Sequence, residues 1–97
     1  MTLSSYKLTA NAKEDLYRIY EYGVTTFGEQ QADTYFARLT DAFANIAYNP
    51  LLYPAVDHIR PGYRRCPCGS DSIYYRIKAT HVEIVAIIKG QNVEVWL

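Results

Sequence analysis

The sequence lacks a net charge, since ten Lys and Arg side chains balance ten Asp and Glu side chains over 97 residues. A balanced charge creates no long-range field that would draw the protein onto nucleic acid or an anionic membrane. The sequence also lacks any apolar run of about 18 residues. It lacks a signal-peptide pattern, because Leu3 is followed at once by Ser4, Ser5 and Lys7. We therefore expect a cytoplasmic protein that neither crosses a membrane nor binds DNA directly.

Cysteine and histidine are scarce, with two of each. Cys66 and Cys68 flank Pro67, and in an extended chain their Cα atoms would lie about 6.5 Å apart, near the upper limit for a disulfide. We expect free thiols. His58 and His81 do not complete a zinc site with the usual ligand spacing. The sequence also contains no phosphate-binding glycine loop and no Ser-His-Asp order. We expect no metal, no cofactor and no catalytic residue.

Tyrosine is abundant, with ten residues. A tyrosine ring can be buried while its hydroxyl stays hydrated, and tyrosine is common at protein interfaces. We expect most of these rings to pack in the core or at its boundary and a minority to line a contact surface.

The first half of the sequence predicts two amphipathic helices. Thr9 is typical of an N-cap, and apolar residues recur at helical spacing from there until Gly28. A second helix is predicted from Glu29 or Gln30 to Tyr48, where Asn49-Pro50 ends it. The short connection predicts an αα-hairpin. The residues predicted to be buried here and in the last strand are Leu16, Ile19, Phe36, Leu39, Phe43, Ile46, Ile84 and Ala86.

The rest of the chain predicts a sheet. Residues 5–8 are typical of a short opening strand, and residues 60–77 of a β-hairpin that turns at residues 69–71. Pro67 places the first hairpin strand at an edge. Residues 84–88 are apolar throughout, which requires an interior strand or cover on both faces. Residues 93–97 predict a final strand or an extended tail. The predicted fold is α+β: a single domain over residues 1–97, with a short N-terminal strand and an αα-hairpin packed on a small antiparallel β-sheet.

The hairpin also predicts two different faces. Alternation along its second strand assigns Ile73, Tyr75 and Ile77 to the core and Tyr74, Arg76 and Lys78 to a face that presents cations and phenols to a partner. Arginines on adjacent strands can bind carboxylates or phosphates with two hydrogen bonds. The alternative is a solvated sheet edge whose cations discourage aggregation.

The order of these elements carries a resemblance to a known family. The residues that carry it are Leu8-Thr9, Ala12, Asp15-Leu16, Ile19, Phe27-Gly28, Asn49-Pro50, Arg60 to Arg65, Gly69-Ser70, Tyr75-Arg76-Ile77 and Val82 to Val85. From about Tyr6 to Ile88 the chain resembles the RelE/ParE toxin superfamily, and the ParE branch most. The resemblance implies the toxin of a type II toxin–antitoxin pair, neutralised by a ParD-like antitoxin whose extended C-terminal segment wraps it. It implies DNA gyrase as the target in the ParE branch and ribosome-bound mRNA, which is cut, in the RelE branch.

Residue chemistry favours the ParE branch. RNA cleavage through the 2′-hydroxyl needs a proton acceptor, cations and an acid. RelE-like nucleases have an arginine early in the second hairpin strand and a tyrosine after the last strand. This chain has Ser72 or Ile73 at the first position and no tyrosine after Tyr75. We expect a non-catalytic gyrase inhibitor. The alternatives are a RelE-like mRNA endonuclease and a weakly toxic or inactive toxin fold, the latter because Ala86 and Lys89 replace the arginine and histidine of ParE relatives.

Two sets of contact residues follow. The predicted antitoxin-binding residues are Arg60, Tyr63, Arg64, Arg65 and Arg76. The predicted target-binding residues are Lys89, Trp96 and Leu97, because the tail carries more apolar surface than a free terminus exposes comfortably. The alternative for the tail is one more strand of the sheet.

Overall fold

A computed structural model describes residues 5–90, in which two helices lie against one face of a four-stranded sheet. The elements in chain order are β1 (Tyr6–Leu8), α1 (Ala10–Phe27), α2 (Glu29–Tyr48), β2 (Tyr63–Cys68), β3 (Asp71–Ile77) and β4 (Val82–Lys89). The strand order in the sheet is β1-β4-β3-β2. The α+β fold is confirmed, as are the edge position of β2 and the interior position of β4. The predicted strand over residues 93–97 lies outside the described residues.

The helical hairpin begins and ends where local chemistry requires it. The Thr9 side chain accepts a hydrogen bond from the Ala12 N–H (3.1 Å), which satisfies a donor that the first helical turn leaves free. Gly28 ends α1 with a φ of 96°, in a region that favours glycine. A Cβ at Gly23 would lie 3.2 Å from the Ala32 Cβ, so the two helices approach closely here.

Neither helix of the described residues, 5–90, has the length and hydrophobicity that a membrane-spanning helix requires.

The sheet is mixed, whereas the sequence predicted a wholly antiparallel one. Strand β1 pairs parallel with β4, in a register that places Tyr6 opposite Val82 and Leu8 opposite Ile84. The other pairs, β2 with β3 and β3 with β4, are antiparallel. Two helices and two strands lie between β1 and β4 in the chain, and this intervening segment brings β4 back beside β1 in the same direction. Side-chain alternation within one strand does not indicate the direction of a neighbouring strand that is distant in the sequence.

Strand β4 extends beyond the end of β1, and side chains of α1 complete its edge. The Thr9 hydroxyl and the Asn11 amide donate to the Val85 carbonyl oxygen at 3.1 and 3.3 Å. The Asp15 carboxylate, 8% exposed, accepts a hydrogen bond from the Ile87 N–H at 3.0 Å. Backbone groups that no strand pairs are thus satisfied by the helix, which fixes α1 on the sheet.

Apolar side chains cover both faces of the sheet. On the helix side, the buried core contains Ala12, Leu39, Phe43, Ile46, Cys66, Cys68, Ile73, Tyr75, Val82, Ile84 and Ile87. On the other side, a smaller cluster contains Val56, Tyr63, Tyr74, Val85 and Ala86, with Ile59 and Ile88 packed against it. A bulge in β4 places two consecutive residues, Val85 and Ala86, in the second cluster. Tyr75 lies opposite Ile84 and Tyr74 opposite Ala86, so Val85 is the extra residue.

The second cluster corrects one sequence prediction. Tyr74 was expected to face a partner, but its side chain is 1% exposed. The connection between α2 and β2 folds across this face and brings Val56 and Ile59 onto it. The alternation was correct, since Ile73 and Tyr75 do lie on the helix side. The inference that the opposite face is open was wrong, because a loop without regular structure covers part of it.

The predicted core is mostly confirmed. Leu39, Phe43, Ile46, Ile84 and Ala86 are buried. Leu16 and Ile19 are half-buried at the margin of the core. Phe36 was predicted to be buried but is 40% exposed, and it makes an edge contact with Tyr20 at 5.9 Å between ring centroids. The prediction failed because the apolar stripe of α2 is wider than the surface that the sheet covers.

The contrast between two phenylalanines of α2 tests this core. Phe43 is fully buried and packs against the Tyr6 ring at 5.4 Å. We expect Phe43→Ala to lower the free energy of unfolding by roughly 3–5 kcal/mol, because it leaves a cavity. Phe36→Ala should cost about 1 kcal/mol, the value of an exposed aromatic pair. Urea unfolding followed by circular dichroism measures both, and equal losses would contradict the assignment of Phe36 to the surface.

Candidate functional site

Four of the five predicted antitoxin-binding residues share the sheet face that points away from the helices. Tyr63 belongs to the small cluster on this face. The guanidinium carbons of Arg60 and Arg76 lie 5.8 and 5.9 Å from the centre of its ring. Arg65 follows two residues later on the same side of β2 and contacts Ser72 of β3. We call Arg60, Tyr63, Arg65 and Arg76 the cationic face.

Arg64 lies on the opposite side of the sheet. Its guanidinium donates to the Tyr53 carbonyl oxygen at 2.6 Å, and the Tyr75 hydroxyl donates to the Pro50 carbonyl oxygen at 2.6 Å. Burial raises the pKa of the Tyr75 phenol, an effect that the charge of Arg64 partly opposes. Both side chains therefore hold the connection after α2 against the sheet. The sequence grouped Arg64 with its neighbours because they are consecutive, although adjacent residues of a strand point to opposite faces.

The charges of the cationic face are partly paired within the protein. The Arg76 Nε donates to Glu83 Oε1 on β4 at 2.6 Å, and the Arg76 side chain keeps 42% of its surface exposed. The hydrogen bond to Glu83 raises the pKa of Arg76. The Arg65 Nε donates to the Ser72 hydroxyl at 2.8 Å. These contacts orient both guanidinium groups and leave part of each available for a partner, since an arginine carries five N–H donors.

A groove lies between the helical hairpin and the end of the sheet where β3 starts and β4 stops. Its volume is about 840 Å³. Half-buried Ile19 and Tyr35 line it, together with the exposed rings of Tyr22 (57%), Phe27 (61%) and Phe36 (40%). We call this the aromatic groove. Contiguous exposed aromatic surface of this kind is typical of a protein-binding site.

Lys89, a predicted target-binding residue, lies at the margin of the aromatic groove. Its Nζ is 5.8 Å from the centre of the Tyr22 ring, a cation–π contact between the end of β4 and α1. The other two predicted target-binding residues, Trp96 and Leu97, lie outside the described residues.

A partly buried polar contact forms one wall of the groove. The Tyr35 hydroxyl lies 2.6 Å from Asp71 Oδ2 and 2.9 Å from the Cys68 carbonyl oxygen. Gly69 has a φ of 58°, and a Cβ at this position would lie 2.6 Å from the Tyr35 ring. The turn between β2 and β3 therefore needs glycine both for its backbone conformation and for contact with α2.

The cysteines are structural. Cys66 and Cys68 are buried and free, and both point toward the helices. Burial raises the pKa of both thiols, which lowers the fraction of reactive thiolate. Within residues 5–90, no group of three or more His, Cys, Asp or Glu side chains is arranged to hold a metal ion.

Sequence reasoning missed the aromatic groove. Its signal was present, since Phe36 falls on the apolar stripe of α2 and Tyr22 and Phe27 occupy the end of α1. The stripe was assigned wholly to the core. The apolar stripe of α2 is wider than one packing surface can bury. This width indicates that a second, open surface exists.

Comparison with known proteins places the chain in a family. The family model described as the ParE toxin of type II toxin–antitoxin systems, parDE, matches residues 6–93. The chain belongs to the ParE toxin family. Toxin ParE1 of Caulobacter vibrioides is 34% identical over 86 residues, which are 89% of this chain and 88% of that protein. Toxin ParE1 of Mycobacterium tuberculosis H37Rv is 33% identical over 92 residues, or 95% and 94% of the two chains.

A solved structure supports the same fold. The chain is similar to a chain of the "Chromosomal ParDE TA system from P. aeruginosa", with a TM-score of 0.78 and 21% identity. The match covers 92% of this chain and 98% of that one. The predicted ParE-branch membership is confirmed. The description of the family names a type II toxin–antitoxin system, parDE, in which ParE is the toxin.

Ionisation of Tyr35 should make the stability of the protein depend on pH in a measurable way. Burial, followed by the hydrogen bond to Asp71, raises the pKa of Tyr35 from 10.0 to about 12. Because the folded pKa exceeds the unfolded one, the stability from the neutral phenol is fully present below pH 10 and is lost as the pH rises toward 12. Absorbance at 295 nm should show this phenol ionising late, and Tyr35→Phe should remove one late-titrating group. An unchanged titration in the variant would contradict the assignment.

Proposed function

We propose that this ParE-family toxin acts by binding and inhibiting DNA gyrase, and that a ParD-like antitoxin neutralises it in the cytoplasm. The observation that carries the proposal is the match of the ParE family model to residues 6–93. The resemblance of the sequence to the ParE branch, whose target is gyrase, supplies the target. The toxin alone does not bind DNA, in keeping with its zero net charge.

The arrangement of polar groups on the cationic face supports binding over catalysis. Cleavage through an RNA 2′-hydroxyl needs a general base that reaches the substrate. The position where RelE-like nucleases have an arginine corresponds to Ser72 or Ile73. Ser72 is 1% exposed with its hydroxyl used inside the protein, and Ile73 is fully buried. Among residues 5–90, the guanidinium groups of Arg65 and Arg76 already contact Ser72 and Glu83.

The antitoxin is proposed to use both surfaces. The aromatic groove offers apolar area for a helix or an extended segment of the antitoxin, and the cationic face offers donors for acidic side chains. The groove ends at Ser70, Asp71 and Lys89, next to the turn between β2 and β3. A segment leaving the groove at this end can pass around the turn and reach Arg65 on the other face. Wrapping both surfaces would explain how one partner neutralises a protein of this size.

Three single variants test the antitoxin surfaces. Arg65→Glu and Phe36→Glu should each weaken antitoxin binding by at least about 2 kcal/mol, because each places a carboxylate in a desolvated contact. Tyr48→Glu is the matched control, since Tyr48 is 71% exposed at the other end of α2. Isothermal titration calorimetry with purified antitoxin measures all three. If Arg65→Glu binds as tightly as the wild type, the cationic face is a solvated sheet edge.

The target is tested by two assays run in parallel. We expect the purified toxin to inhibit DNA supercoiling by gyrase and to leave translated mRNA intact. Removal of residues 92–97, which takes away Trp96 and Leu97, should abolish the inhibition while antitoxin binding remains. Lys89→Ala should weaken the inhibition, because Lys89 is the remaining member of the predicted target set. Cleavage of mRNA would assign the protein to the RelE-like alternative. Absence of both activities would indicate a weakly toxic or inactive toxin fold.

A further inference from the structure

The end of the helical hairpin carries charge of one sign. Residues 21–33, which we call the helical tip, contain Glu21, Glu29 and Asp33 and no Lys, Arg or His. All three carboxylates are exposed. The two salt bridges found among residues 5–90 lie elsewhere in the protein. The helical tip therefore presents acidic side chains that no cation of the described chain neutralises by direct contact.

The helical tip also exposes apolar side chains. Phe27 is 61% exposed, Tyr22 57% and Val24 37%. The rings of Tyr22 and Phe27 are in edge contact, with 6.3 Å between their centroids, and both line the aromatic groove. Neighbouring apolar side chains that remain exposed are typical of a surface that another protein covers. The tip is thus both apolar and acidic.

Cations border the aromatic groove where it meets the sheet. The Lys89 Nζ lies 5.8 Å from the centre of the Tyr22 ring, and the guanidinium carbon of Arg38 lies 5.8 Å from the centre of the Tyr35 ring. Both cations are exposed, and neither belongs to a salt bridge among the described residues. Asp71, the acidic residue of the groove lining, is already 2.6 Å from the Tyr35 hydroxyl. This end of the groove is therefore suited to carboxylates.

The helical tip of one copy complements the aromatic groove of another. The tip supplies apolar side chains and carboxylates, and the groove supplies aromatic surface and cations. Because the tip forms one wall of the groove, both features lie on the same part of the molecule. A single two-fold axis can therefore place each tip against the groove of the other copy, which uses every complementary contact twice and closes the assembly at two chains.

Glu29 is the carboxylate of the tip best placed to reach a second copy. Asp33 accepts a hydrogen bond from the Tyr20 hydroxyl at 2.6 Å. Glu21 lies close enough to Tyr17 to raise the pKa of that phenol. Glu29 instead follows Gly28 directly, at the extreme end of the tip.

We propose that two copies of this chain associate when no antitoxin is bound, with the helical tip of each copy in the aromatic groove of the other. Glu29 of each copy pairs with Lys89 of the other, and the Phe27 rings are buried between them. This inference goes beyond the proposed function, because it concerns the toxin alone. The antitoxin, which is proposed to use the same groove, takes the place of the second copy.

Sedimentation equilibrium of the purified full-length chain tests the association from about 1 to about 200 µM. We expect a monomer–dimer equilibrium with a dissociation constant on the order of 10 µM, because one tip and one groove form a small interface. The mass should stop increasing at two chains. A monomer over the whole range would overturn the proposal, and growth beyond two chains would overturn the two-fold arrangement.

Exchanging the two charges tests the proposed pair. Glu29→Lys and Lys89→Glu should each weaken the dimer at least about tenfold, because each variant places like charges together at two symmetric sites. The double variant should return to within about threefold of the wild type. Glu14→Lys is the matched control, since Glu14 is exposed in the first half of α1 and the change in net charge is the same. A double variant that stays as weak as the single variants would overturn the pairing.

A second pair of variants tests the apolar part of the contact. Phe27→Ser should weaken the dimer at least about tenfold, whereas Tyr48→Ser should match the wild type, since Tyr48 is 71% exposed at the far end of α2. Circular dichroism confirms that each variant is folded. Equal association of both variants would overturn the assignment of the contact to the aromatic groove.

Failure of this inference is distinguishable from failure of the proposed function. Sedimentation uses neither antitoxin nor gyrase. A wild type that forms the dimer but does not inhibit gyrase upholds the inference and contradicts the proposed function. A wild type that inhibits gyrase but remains a monomer does the reverse.

Discussion

Strand β4 imposes the constraint on which the rest of the structure depends. Its residues are apolar on both faces, and it lies inside the sheet, so both faces and both edges need partners. The helical hairpin covers one face, and the connection after α2 covers part of the other. Strand β3 pairs along one edge. The other edge is shared between the short β1 and the side chains of Thr9, Asn11 and Asp15. Most of the chain is thus arranged around one strand of eight residues.

The surfaces proposed for function are the places where this cover ends. Phe27 lies at the end of α1, and Phe36 lies on the part of the α2 stripe that the sheet does not cover, so both rings are exposed at the aromatic groove. The connection after α2 packs on Tyr63 and Tyr74, and its Pro54 carbonyl oxygen accepts a hydrogen bond from the Arg65 N–H at 3.1 Å, but the side chains of Arg65 and Arg76 stay half-exposed. A protein that binds a partner needs such surfaces, since a fully covered domain would offer that partner little area to bury.

The two proposed surfaces meet at the turn between β2 and β3. Gly69 allows α2 to pack against this turn through Tyr35, and the Ser72 hydroxyl accepts a hydrogen bond from Arg65 and donates one to the Gly90 carbonyl oxygen. The same few residues therefore bound the aromatic groove and orient Arg65.

Much of the fold was determined by the sequence alone. Thr9, Gly28 and Asn49-Pro50 mark the helix ends because capping and proline effects act within a few residues. The apolar run in β4 predicted an interior strand because burial follows from side-chain chemistry. Alternation along β3 correctly separated Ile73 and Tyr75 from Tyr74. All of these signals are local, so a single sequence contains them.

Only the tertiary structure decided how distant parts of the chain meet. The parallel pairing of β1 with β4 depends on the path through the helices, and the burial of Tyr74 depends on a loop without periodicity. The separation of Arg64 from Arg65 follows from strand geometry, but their partners lie in different elements, Tyr53 in the connection after α2 and Ser72 in β3. The aromatic groove exists because the stripe of α2 is wider than the sheet beneath it. The width of a surface built from strands that are distant in the sequence cannot be predicted from any local sequence pattern.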